Sequence, residues 1–424
     1  MSFRFEWNAY ADQPHNVAPR SERMRHHWKR AGSYLALAAA NLKRAVPILS
    51  RYREYRKAMF MKSVSIRDGI ACSVSLREDG RNDEVVRLLK ETGVRETLVR
   101  VASWEKEKIG DFERFIRILR QEGFQVSVSL LQQRDDVLSP GKWEAFLSEV
   151  FERLGPFADC FEIGHAWNRT KWGVWDFTEY LRLAVPAFSQ ASRRGVRLAG
   201  PAVIDFEFHL YPVTLPGLPF HKVTSLLYVD RVGAPENKQC GWNTVQKVAL
   251  LKAVVDCCAT GSRDLWITEV NWPLKGTEPW SPVSGKPNVT EEEQADYLAR
   301  YYVLCLAGGL VEKVFWWQLV APGYGLVDSR EEPWRKRPGF EALRTLAREL
   351  EGSEFIGKVR GSAAEIFLFR RDGREFVIGW APRAPAEHVF DRRIAGVRGR
   401  DGRERPFEQG RIRLDGSPRY VYFD

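Results

Sequence analysis

Nowhere in the 424 residues does an apolar run approach the ~18–20 residues that a bilayer span needs. The longest N-terminal apolar stretch, Ala31 to Leu42, is too short to cross, and it starts too far into the chain to read as a secretory signal. Cysteine is scarce: six residues (Cys72, Cys160, Cys240, Cys257, Cys258, Cys305) with no C-x-x-C and no scaffold spacing. Buried free thiols in a reducing compartment are expected, hence a cytoplasmic protein. Seven histidines without an H-x-x-x-H spacing give no reason to expect zinc or another metal. There is no G-x-G-x-x-G and no G-x-x-x-x-G-K-[ST], so no nucleotide cofactor is expected.

What is present is a hydrophobic fraction of 44% with 28% charged residues, enough for a large core and too apolar for wholesale disorder. The formal charge of +10 is unevenly placed. Residues 1–62 carry thirteen Lys or Arg against four acids, an excess of nine. Leu35, Leu37, Leu42, Val46, Ile48 and Leu49 suggest an apolar helical stripe among these bases, with Pro47 expected to kink or end the helix. Three roles fit this extension: a solvated helix packed on the body, a helix on an anionic membrane surface, or a nucleic-acid contact. No nucleic-acid motif accompanies the charge, so no nucleic-acid partner is expected.

Beyond Gly69, short β-branched runs alternate with amphipathic helical stretches. The strand candidates are 70–76, 97–101, 125–131, 160–164, 197–203, 223–229, 265–270 and 314–319. Helical patterns between them include 111–122, where Phe112, Phe115, Ile116 and Leu119 share one face. Eight strand–helix units predict a (β/α)8 TIM barrel, with a doubly wound sheet as the alternative. Residues 353–424 alternate apolar and polar positions, with turns at Asp372-Gly373, Asp401-Gly402 and Asp415-Gly416. The expected organisation is a basic, partly helical extension (1–62), a barrel (63–350) and a small antiparallel β domain (351–424).

In a barrel, chemistry sits where strands pass into loops. Those positions hold Arg100, then Gln132 to Asp135, then Glu162 to Asn168, then Asp205 and Glu207, then Tyr228, Asp230 and Arg231. The last two strands contribute Glu269 to Trp272 and Trp316 to Gln318. Tryptophan recurs there (Trp104, Trp167, Trp172, Trp272, Trp280, Trp316, Trp317), and indole faces suit the C–H faces of sugar rings. Glu269 ends an apolar strand, where a charge needs a partner or a role. Arg100 is the candidate partner.

Trp266-Ile-Thr-Glu-Val-Asn-Trp272 resembles the seventh-strand nucleophile segment of glycoside hydrolases of the (β/α)8 clan with paired glutamates, closest to the β-xylosidase/α-iduronidase type. Leu98-Val-Arg100 resembles that group's second-strand arginine, Tyr228 its sixth-strand tyrosine and Trp316 its eighth-strand aromatic. Tyr324-Gly-Leu-Val-Asp328 with Arg337-Pro338 resembles its post-barrel segment. The resemblance spans 70–350 and leaves out the first 62 residues. It implies a carbohydrate substrate with Glu269 as nucleophile. Arg100, His165, Asn168, Tyr228, Trp272 and Trp316 would be sugar-binding residues.

One departure matters. The resemblance implies Asn-Glu, with the general acid/base, where this chain has His165-Ala166, or Asn168-Arg169 in a shifted register. The usual sixth-strand histidine is Leu226. Substitutes for the acid are Glu162, on the same strand side as position 166 but roughly 13 Å deeper at ~3.3 Å per residue, and Asp205 or Glu207. His165 could serve as an acid if a carboxylate raised its pKa, or could bind a sugar hydroxyl. The readings are a glycosidase acting on a bacterial-type polysaccharide or lipopolysaccharide glycan, an inactive sugar-binding barrel serving polysaccharide assembly, or an unrelated barrel enzyme such as an aldolase.

Overall fold

The computed structural model describes residues 5–15, 18–230, 232–280 and 288–424. Eight parallel strands close into a barrel: β1 (Ile70–Val74), β2 (Glu96–Ala102), β3 (Gln125–Leu131), β4 (Cys160–Ile163), β5 (Leu198–Ile204), β6 (Lys222–Leu226), β7 (Leu265–Val270) and β8 (Lys313–Trp316). β8 returns to β1 in the register Val314↔Ile70, which shuts the cylinder. The strands are nearly all buried because helices cover the outside and side chains fill the inside. Along β2 the period of two is plain. Leu98 joins a small interior cluster with Ala71, Trp266 and Phe315. Val99 and Val101 face the main core beneath the helices. The N-terminal end of the barrel is closed by the buried pair Lys313–Glu96, at 2.5 Å.

β7 departs from strict alternation. Its pairing with β8 shifts register between Ile267 and Val270, a bulge. A bulge leaves one residue unpaired and re-aims the side chains that follow. Thr268 therefore faces the barrel interior, where it donates to Glu162 Oε2 (2.6 Å), and its neighbour Glu269 faces the open C-terminal end.

The tail folds as a six-stranded sheet in the order Ile394–Gly399, Arg419–Phe423, Arg374–Trp380, Glu365–Arg371, Glu354–Lys358, Val64–Ser65. The last member comes from the segment just before the barrel. The sheet thus takes in two residues that the sequence reading assigned to the barrel. Phe355, Phe367, Phe369 and Trp380 bury one face of the sheet in the main core, while Ile366, Val377 and Val421 build a smaller core on the other. The Asp372-Gly373 turn has positive φ at both residues (50° and 77°), the requirement of a two-residue hairpin.

The extension forms two helices, α1 (Arg20–Lys29) and α2 (Ala31–Ala58). α2 continues through Pro47, which the sequence led us to expect as a kink or an end, so Pro47 does not end it. An interior proline costs ~3 kcal/mol. Contacts on both sides hold the helix against that cost: Asn41 Nδ2 donates to the His209 carbonyl (2.9 Å), Tyr52 packs on Trp242 (5.1 Å) and Tyr55 bonds Asp256. No helix among the described residues is long and apolar enough to cross a membrane.

Candidate functional site

A cleft of about 380 Å³ opens at the C-terminal end of the barrel. Arg100, His165, Tyr228 and Glu269 line it, brought together from β2 and from the ends of β4, β6 and β7. Glu269 is 7% exposed, and both of its oxygens are engaged. Arg100 Nη2 donates to Oε2, and the Tyr228 hydroxyl donates to Oε1. Arg100 in turn lies over the Trp317 ring, with its guanidinium carbon 3.2 Å from the centroid.

His165 Nε2 stands 3.5 Å from Glu269 Oε2, and its ring packs edge-on against Trp172 at 4.6 Å. Burial, with Arg100 and Lys171 adding to it, holds the imidazole pKa well below the ordinary histidine value. The neutral ring suits a hydroxyl ligand, and the raised pKa that an acid role would need is absent. Ala166 lines the cleft beside it with φ 45° and no side chain that can carry a proton.

Four other residues proposed from the sequence lie elsewhere. Glu162 is 3% exposed and sits beneath the cleft, inside the barrel. Ser129 Oγ donates to its Oε1 (2.8 Å) and Thr268 Oγ1 to its Oε2. Burial raises its pKa, although its hydrogen bonds oppose the shift. It ties β3, β4 and β7 together and does not reach the cleft. Trp316 is fully buried and stacks on Trp272 (6.0 Å, 18°) in the helix layer, so both belong to the core. The next residue, Trp317, lines the cleft, because one step along a strand reverses the face. Asn168 braces the end of β5: its amide bonds both Ile204 O (3.0 Å) and Ile204 N (2.9 Å). Of the acid substitutes, Asp205 does line the cleft, and both it (2.7 Å) and Glu207, which does not, are bound by Arg169. Arg231 falls outside the described residues.

Sequence reasoning missed one group altogether. Asp12, from the extension, enters the cleft and accepts from Arg100 Nη1 (3.2 Å) and the Tyr324 hydroxyl (3.0 Å). Burial raises its carboxyl pKa above the ordinary aspartate value, against the pull of Arg100. No periodicity marks residue 12, and its segment lies outside the barrel pattern. Tyr324 was visible only through the post-barrel segment. Among the described residues, no three His, Cys, Asp or Glu side chains are grouped to hold a metal ion.

Neither protein-family models nor curated proteins gave a match to this chain. Solved structures did. A family 39 glycoside hydrolase from Bacteroides cellulosilyticus WH2 superposes with a TM-score of 0.68 at 16% identity, over 85% of this chain and 81% of that one. A GH30 endoxylanase from Clostridium papyrosolvens C71 gives 0.59 at 10% identity, over 86% and 98%. A GH51 arabinofuranosidase from Xanthomonas axonopodis pv. citri gives 0.56 at 11%, also over 86% and 98%. At such identities the likeness establishes the fold. The chain is a TIM barrel with a C-terminal β domain, built like its glycoside hydrolase neighbours.

Proposed function

We propose that this chain is a glycoside hydrolase acting on a bacterial-type polysaccharide or lipopolysaccharide glycan, with Glu269 as its nucleophile. The observation that carries this reading is Glu269 at the bulged end of β7, held by Arg100 and Tyr228 and facing an aromatic-lined cleft. The two donors aim the carboxylate, leaving it to attack an anomeric carbon and form a glycosyl ester as the leaving-group oxygen departs. The Trp317 and Trp172 rings offer apolar faces to a pyranose, and neutral His165 offers a hydroxyl contact.

Retaining hydrolysis uses two carboxyl groups about 5–5.5 Å apart. With Ala166 at the fourth strand, general acid help worth ~10²–10⁴-fold is missing from its usual place. Activated aryl glycosides, whose leaving groups need no proton, are therefore the substrates of choice for a test. Wild type should turn over an aryl glycoside of the right sugar, and azide should speed the second step and yield the glycosyl azide. Glu269→Gln should lose on the order of 10³-fold or more while keeping its melting temperature. Unchanged turnover in this variant would refute the assignment. Ala166 also favours a second reading, an inactive sugar-binding barrel. Measurable sugar binding with no turnover of any activated glycoside would select it.

The extension supports a second element of the proposal, association with an anionic membrane surface on the cytoplasmic side. At ~100° per residue, Leu35, Leu42, Val46 and Leu49 fall along one side of α2, and Trp28 of α1 is exposed beside them in sequence. They are among the most exposed apolar residues of the chain (Trp28 79%, Leu42 77%, Val46 78%). Arg53, Arg56 and Lys57 continue the stripe as a basic cluster at its end. A second copy would bring like charges together with few acids to pair them. An anionic bilayer matches both the stripe and the charge.

A further inference from the structure

Residues 5–15 of the extension lie across the open end of the barrel. Trp7 packs against Trp104 and Trp172 (ring centroids 5.2 and 6.0 Å), and Tyr10 meets Trp280 at 6.0 Å. The strands Trp7–Asn8 and Gln13–Pro14 pair with each other as a short hairpin. Asn8 Oδ1 fixes the turn by accepting from the backbone N–H of Tyr10 (3.0 Å) and of Ala11 (3.2 Å). Asp12 follows with φ 50°, in the left-handed region. Its carboxylate reaches the floor of the cleft and meets Arg100, Tyr324 and, beside them, Trp317.

Asp12 and Glu269 thus share one guanidinium, one at each terminal nitrogen. Asp12 Oδ2 accepts from a guanidinium and from a phenol. It is bound as a ligand would be, by a cation and hydroxyl over an indole. A sugar entering to meet Glu269 would need the same donors and the same space.

We propose that this arm is an intramolecular gate: Asp12 occupies the sugar-binding floor of the cleft, and a substrate enters only when the arm lifts. The proposal deepens the glycosidase reading and rests on it for the identity of the ligand. The arm is built to detach. Among the described residues its two strands pair with each other and with no other strand, and a backbone hydrogen bond from His15 N to Glu6 O (2.8 Å) closes within it. Side-chain contacts hold it to the barrel, Lys171 to Gln13 Oε1 (2.5 Å) among them.

The test measures how open Glu269 is, without any sugar. The full-length chain is treated with a water-soluble carbodiimide and glycinamide, and amide formation at Glu269 is followed by peptide mass spectrometry. Asp12→Ala should raise the labelling rate at least threefold over wild type. Asp12→Asn, whose side-chain oxygen still accepts from Arg100 and Tyr324, should raise it much less. Asp12→Ser gives a second small variant with the expectation of Asp12→Ala. Equal labelling in wild type and in the small variants would overturn the gate. With an activated aryl glycoside, kcat/KM should rise in Asp12→Ala. A fall would also overturn the gate, because Asp12 would then belong to the working site. If labelling rises and no aryl glycoside is turned over, the gate stands and the glycosidase reading alone fails.

Discussion

Single positions decide what the cleft contains. Glu162 and Glu269 lie on the same inner side of the barrel, yet of the two only Glu269 lines the cleft, because the bulge in β7 lifts it above the Thr268–Glu162 contact. A prediction follows from the raised pKa of Glu162. A buried carboxyl that holds its proton more tightly when folded makes stability fall as pH rises from the ordinary glutamate value, ~4.3, toward the raised one. Glu162→Gln removes that slope and keeps partners for Ser129 and Thr268, whose hydroxyls both donate and accept. The variant should therefore melt a few degrees above wild type at pH 8, with the gap closing toward pH 4. Its turnover of activated glycosides should stay within about threefold. A collapse of turnover at unchanged stability would restore Glu162 to the reaction. Trp316 carries a similar lesson. The strand and its aromatic pair were legible, but which of two adjacent tryptophans faces the cleft depends on a one-residue register that sequence does not specify.

At the scale of elements, long periodic segments were the most legible. β3 (Gln125–Leu131) and β7 (Leu265–Val270) have the bounds read from sequence, and the helix Thr244–Cys258 is another regular segment of the barrel. Their boundaries are set by local chemistry, such as the Asn243 cap that accepts from Gln246 N (2.9 Å). The extension was read less well, because its helix continues through Pro47 by virtue of tertiary contacts and its arm has no pattern at all. The exposed stripe of α2 is the element with the clearest consequence. Each basic residue near an anionic surface contributes ~1 kcal/mol, and apolar side chains add burial in the interface. Leu35→Glu with Leu42→Glu in the full-length chain should weaken sedimentation with phosphatidylglycerol vesicles at least tenfold at low salt and leave melting unchanged. Equal binding by the double variant and wild type would remove the membrane reading.

Across the whole molecule, charge and chemistry are segregated. The described extension carries most of the excess positive charge and also the residue that fills the cleft; Arg4 lies outside the described residues. The barrel holds the site, and the β domain is joined to it through Trp380 Nε1 on Glu236 (2.7 Å) and Arg300 Nη1 on the Gly416 carbonyl (3.2 Å). The barrel and the tail domain were legible because alternation and helix spacing repeat over hundreds of residues. That position 166 carries no carboxyl was legible too, since residue identity alone decides it. The gate was not, since it depends on a contact between residues 12 and 100 that only the folded chain creates. The central claim is that Glu269 forms a bond to a sugar. Its most direct measurement is covalent trapping. Wild type and Asp12→Ala are incubated with dinitrophenyl 2-deoxy-2-fluoro glycosides of several sugars, and the adduct is mapped by peptide mass spectrometry. One fluoroglycosyl adduct should form on Glu269, faster in Asp12→Ala and not at all in Glu269→Gln. An adduct on another carboxylate, or one that persists in Glu269→Gln, would contradict it.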